Sequence, residues 1–164
     1  VEFYFGNIDV RHHLCRFEEN FEEEARKLAH RYHDAALDVS KKVKGSTSIY
    51  ELLPVEDEKR SIPKTGWYKG TPFFGSWHER NRIRLIFKDE MRKLCSNSPI
   101  NYIEWVDYMI NYRGELDFKY MERPKSVHIS REYYPYWQGK KFNGIDIPDK
   151  NYIENKSSTL ELFV

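Results

Sequence analysis

Gly6-Asn7-Ile8-Asp9-Val10-Arg11-His12-His13 gathers an amide, a carboxylate, a guanidinium and two imidazoles just after one glycine. Such a run can do polar chemistry. A glycine lets backbone N–H groups approach a ligand closely, an asparagine amide donates hydrogen bonds, and an imidazole exchanges protons near neutral pH. Arg11 either pairs with Asp9 or holds an anionic substrate group as a bidentate fork. His128 stands alone late in the chain, between Val127 and Ile129, and reads either as a general base or as an ordinary, partly buried histidine. Trp67, Tyr68, Phe73, Phe74 and Trp77 crowd one stretch, where they could stack on a sugar or a base, contact a partner, or simply pack.

These residues need a scaffold. Residues 1–5 form an apolar, aromatic run broken only by Glu2, which suits an interior strand buried on both faces. From about Phe17 the apolar spacing becomes helical through Phe21, Ala25, Leu28, Tyr32, Ala36, Val39 and Val43. Acidic residues lie near that helix's start, lysines crowd its end and Gly45 stops it. The run SIYELLPV is the next strand, closed by Pro54. Strand, helix and strand make a right-handed βαβ unit with parallel strands.

A loop then runs from Glu56 to Gly75. Ser76 and Glu79 are spaced as a capping box, and the helix they open carries Ile83, Phe87, Met91 and Leu94 on one face. INYIEWVDYM is the third strand and NYRGELD the turn after it. KSVHISREYYPYW is expected to begin another helix, ended by Pro135. Residues 135–164 read as an extended carboxyl-terminal arm finishing in a strand at 159–164.

The order of these pieces, with Gly6-x-x-Asp9-x-Arg11 in the loop at a strand end and a late isolated His128, resembles the carboxyl-terminal part of the SGNH, or GDSL-like, hydrolase superfamily. The subgroup whose third block is Gly-Glu-Ile-Asp-x-Arg is the nearest in pattern, and the resemblance covers residues 1–134. It implies an α/β fold, a three-layer parallel sheet flanked by helices of flavodoxin-like type, here lacking its first strand or strands. It also implies a serine esterase or acyl-transfer activity on an acylated carbohydrate or similar ester. Gly6 and Asn7 would line the oxyanion site, His128 would be the base, and Asp9, Arg11, Trp67 and Phe74 would be substrate-binding.

Two positions depart from the family's pattern. Ile8 stands where an asparagine donor belongs, and losing one such donor costs about 2.7–4 kcal/mol of transition-state stabilisation. Lys125 stands where the triad aspartate belongs; a lysine has no acceptor to orient an imidazole, so Asp117 or a backbone carbonyl is the conceivable substitute. The nucleophile block is absent from these residues. It is expected upstream of Val1 or on a partner chain that supplies a strand to pair with residues 1–5. The alternative is a catalytically inactive SGNH-like interaction module in a larger, possibly viral, assembly.

Composition bounds the rest. The 164 residues suit one domain, with mean hydropathy −0.80. Net charge is +1 from 27 basic and 26 acidic side chains, so no global field favours nucleic acid. No apolar stretch approaches the roughly 20 residues that span a bilayer, and no membrane association is implied. Cys15 and Cys95 are too few for a disulfide framework, and as buried free thiols they suit a reducing, intracellular setting. His30 and His33, one helical turn apart, could join His12 or His13 around a metal, but no distant ligand block supports them, so no metal and no cofactor is expected.

Overall fold

A computed structural model describes residues 1–56, 64–66, 69–70, 74–104, 106–123, 126, 128–133, 141–142 and 145–146. Three parallel strands form its main sheet: β1 (Glu2–Phe3), β2 (Thr47–Tyr50) and β3 (Ile100–Ile103), in the order β1-β2-β3. Two long helices connect them, α1 (Phe21–Ser40) and α2 (Trp77–Ser96). Two successive right-handed crossovers stepping the same way across a sheet put both helices on one face. Accordingly α1 and α2 pack on one another, with Ala25, Ala29, Ala36, Ile83, Phe87 and Met91 meeting Ile49 and Ile100 in one buried cluster.

Alternate residues of a strand point to opposite faces. Phe3 and Leu52 join the helix-side cluster, while Tyr4 and Leu53 join a second one built from Val106, Met109, Leu116, Tyr120, Met121, Ile129 and Tyr133. Among the described residues this second cover consists of short 3-10 turns (Asp107–Met109, Phe118–Tyr120, Arg131–Tyr133) and isolated bridges, without an α-helix. Within KSVHISREYYPYW, where a helix ended by Pro135 is expected, the only helical conformation among the described residues is the 3-10 turn Arg131–Tyr133. The 111–117 turn closes with Gly114 at positive φ and an Ile110–Leu116 bridge.

Three expectations need correction. First, β1 is an edge strand among the described residues, with Val1, Glu2 and Phe5 exposed, and not an interior one. Second, the chain beyond Gly6 is not a loop: it turns directly into helical conformation at Asn7, passes through a π-turn (Asp9–His13) and a 3-10 stretch (Leu14–Asn20), and becomes regular α-helix only at Phe21. Along that irregular lead-in Val10 and Leu14 reach the same core as Ala25 and Ala29. Third, β2 ends at Tyr50, and residues 51–56 continue as an extended, fully buried segment.

The charge within segment 51–56 at Glu51 is met by α2, where Arg80, Arg84, Lys88 and Arg92 recur every four residues. Glu51, wholly buried, takes Arg84 at 3.3 Å and Lys88 at 2.6 Å, and Arg92 forks onto Glu104 at 2.7 and 2.9 Å. The capping box at Ser76 is fully formed: the Glu79 backbone N–H donates to Ser76 Oγ and the Ser76 N–H to the Glu79 carboxylate, which lies below the usual carboxylate range because Ser76 hydrogen-bonds its charged form. Gly75 just before it has φ +79°, and a Cβ there would stand 2.6 Å from Cys15 Sγ. Of the carboxyl-terminal arm, the described part is an antiparallel pair, β4 (Lys141–Phe142) with β5 (Ile145–Asp146); the strand expected at 159–164 lies outside the described residues.

Candidate functional site

Parallel strands place their carboxyl ends along one edge, where open α/β sheets hold ligands. At that edge the end of β1 and the extension of β2 bound a hollow of about 300 Å³, lined by Tyr4, Phe5, Gly6, Asn7, Ile8, Asp9, Arg11, Leu53 and His128. Five of the seven residues singled out for chemistry therefore share one cavity: Gly6, Asn7, Asp9, Arg11 and His128.

Gly6 makes the corner. Its φ of +99° is a left-handed conformation that L side chains rarely adopt, and a Cβ would press on Leu52 Cδ2 at 3.1 Å. This corner turns the chain from β1 into the helical lead-in and closes it with Val10 N–H donating to Gly6 O at 3.1 Å. Asn7 is oriented by Leu53, whose backbone N–H donates to Asn7 Oδ1 at 3.0 Å. With its oxygen so engaged, the amide's N–H groups are its other end, and these are what an oxyanion would need. Ile8, 59% exposed on the rim, has no donor to add.

For Arg11 the structure gives an ion pair, with a partner other than Asp9: its Nε donates to Glu56 Oε2 at 2.8 Å, and both side chains are buried. A guanidinium committed to a buried carboxylate fixes the lead-in turn to the β2 extension. Asp9 instead faces His13, Oδ1 to Nδ1 at 3.1 Å, on the exposed side of the same turn.

His128 lies in a small reversal of the chain, Met121 bridged to Ile129, with the Glu122 N–H donating to His128 O at 3.0 Å. Its side chain is 67% exposed, so the reading of it as an ordinary, partly buried histidine does not hold. Glu122 Oε1 lies 3.4 Å from His128 Nδ1, and Ser126 Oγ donates to the same oxygen at 3.0 Å. That carboxyl group is held below the usual range, first by the Ser126 hydrogen bond and also by the nearby imidazole. Asp117 is not the substitute acid: it accepts from the Lys119 N–H at 3.1 Å and faces Lys119 Nζ. The sequence signal for Glu122 was its place opposite His128 across a tight reversal, which no motif spacing conveys.

Of the aromatic group, Trp67, Tyr68 and Phe73 lie outside the described residues. Phe74 does not line the hollow. Its N–H donates to Arg11 O and its ring lies under the Arg16 guanidinium, 4.8 Å from the centroid, while Trp77 donates its indole N–H to Val55 O. Both stand at the start of α2, Trp77 packed against the helix-side core and Phe74 40% exposed. His30 faces Glu90 at 3.1 Å and His33 faces Ser98 Oγ at 2.9 Å; among the described residues no three His, Cys, Asp or Glu side chains are grouped to hold a metal ion. Nor is any described helix long and apolar enough to cross a membrane. No protein-family model, curated protein or solved structure matches this chain.

Proposed function

We propose that the chain is the later part of an SGNH-like hydrolase fold whose strand-end hollow is half of a serine esterase or acyl-transfer site for an acylated carbohydrate or similar ester. The observation that carries this reading is the convergence of Gly6, Asn7 and His128, far apart in sequence, on one hollow at the carboxyl ends of β1 and β2. In the step so supported, a serine supplied from outside these residues attacks the ester carbonyl and loses its proton to His128. Backbone N–H groups at the Gly6 corner and the Asn7 amide hold the oxyanion, the alcohol departs with the proton, and water releases the acyl group. No cofactor enters this chemistry.

Strand order supports the same reading. In the flavodoxin-like order 2-1-3-4-5 the last three strands are consecutive neighbours, as β1, β2 and β3 are here. The outer side of β1 would then receive the first strand, from the preceding chain or from a partner protein. Hollows on both faces flank that side, the one described and a second of about 310 Å³ against Leu28, Arg31, Tyr32 and Ala35 of α1, and both share Phe5, Gly6 and Asp9.

The second reading is a catalytically inactive SGNH-like interaction module in a larger assembly, such as a viral particle. Ile8 at the donor position and the commitment of Arg11 to Glu56 favour it. Hydrolysis of a generic acetyl ester by the complete protein, with and without His128→Ala, decides between them. A rate lost in the variant supports the esterase, equal measurable rates remove His128 from the mechanism, and no rate in either leaves the module.

A further inference from the structure

The family pattern provides no acid for His128, because Lys125 occupies its place, yet the fold brings one from the other strand of the reversal. Met121 and Ile129 form an antiparallel bridge, and beside it Glu122 and His128 stand across from one another. Three contacts close the group. Glu122 Oε1 is 3.4 Å from His128 Nδ1, Ser126 Oγ donates to that same oxygen at 3.0 Å, and the His128 N–H donates to Ser126 Oγ at 3.1 Å. Arg123 also approaches this oxygen, at 3.8 Å, from a largely exposed position where water screens it.

The hydrogen bond made by one ring nitrogen decides which nitrogen carries the proton. A carboxylate can only accept, so Glu122 beside Nδ1 selects the Nδ1–H form and leaves Nε2 with its lone pair. The separation is slightly long for a hydrogen bond, as such contacts often are before substrate binds. We propose that Glu122, held by Ser126, is the positioning residue for His128, fixing it as the Nδ1–H tautomer with Nε2 as the basic nitrogen. The inference rests on the reading of His128 as a general base, but its test does not need an ester.

The test is long-range proton–nitrogen NMR on the full chain labelled with ¹⁵N-histidine, at a pH where the ring is neutral. The His128 pattern of the wild type should be predominantly Nδ1–H. Glu122→Ala should move it to predominantly Nε2–H, the form that free histidine favours, while Glu122→Gln, whose side-chain carbonyl still accepts, should keep Nδ1–H. Unchanged signals from the other histidines in each variant establish that the fold is intact. A wild-type ring in the Nε2–H form, or an Nδ1–H form that persists in a folded Glu122→Ala chain, overturns the assignment. An Nδ1–H ring lost in Glu122→Ala supports the role of Glu122 even where no ester is hydrolysed, so the two readings fail separately.

Discussion

At the scale of single residues, charge burial rather than charge count decides what matters. Arg11 and Glu56 lie at 2.8 Å with both side chains almost inaccessible, and removing one partner of such a pair strands the other charge in a poor solvent, at a cost of about 3–5 kcal/mol. Arg11→Leu should therefore lower stability by that order in denaturant unfolding, and Arg11→Leu with Glu56→Leu should recover much of it; a single variant as stable as wild type would show the pair to be dispensable. Glu104 illustrates a different case, since it is more open and its effect is read by pH. The Arg92 fork, helped by Lys88, lowers its pKa to about 2 from an ordinary 4.5. A depressed folded pKa means stability that is fully present above the unfolded value and is lost as pH falls through the folded one. The stability gap between wild type and Glu104→Gln should be constant above about pH 5.5 and shrink between 4.5 and 2, as followed by thermal unfolding across that range.

At the scale of elements, local signals were legible where their cause is local. Ser76 and Glu79 announced the start of α2, and both reciprocal bonds of the box are present; Ser76→Ala should cost about 1 kcal/mol, measured as a shift in the denaturant midpoint at unchanged slope. The parallel pairing of β1 with β2 followed from the βαβ order in the same way. What failed to show in the sequence depends on distant partners. Arg84 and Lys88 turn inward on α2 because Glu51 meets them there, and Arg92, half exposed, is held by Glu104. The turn after Gly6 read as a loop because its residues are polar, and it is helical because Asn7 and Arg11 are tied to Leu53 and Glu56, some 45 residues away. The hollow itself was half legible. Gly6 and Asn7 follow from a strand end, whereas Glu122 becomes visible only once the chain reverses at Ser126.

At the scale of the molecule, the balance of surfaces points to the β1 flank. Phe5 is 65% exposed and Ile8 59%, while the interior strand β2 is almost wholly buried. An edge strand bearing exposed apolar residues is a template for pairing with another chain, and edge segments with few buried contacts open at the low end of the stability range. In the isolated chain, amides of β1 should exchange with solvent faster than those of β2 at the same pH, as read by hydrogen–deuterium exchange. Ile8→Gln should change stability by no more than about 0.5 kcal/mol, because the side chain is mostly in water already, and should reduce concentration-dependent self-association in sedimentation. If a partner or the preceding chain supplies a strand, β1 exchange should slow to the rate of β2 once that strand is present, with α2 unaffected. Equal exchange of β1 and β2 in the isolated chain would mean that the edge is already covered, and the strand-supplying partner would no longer be needed to account for it.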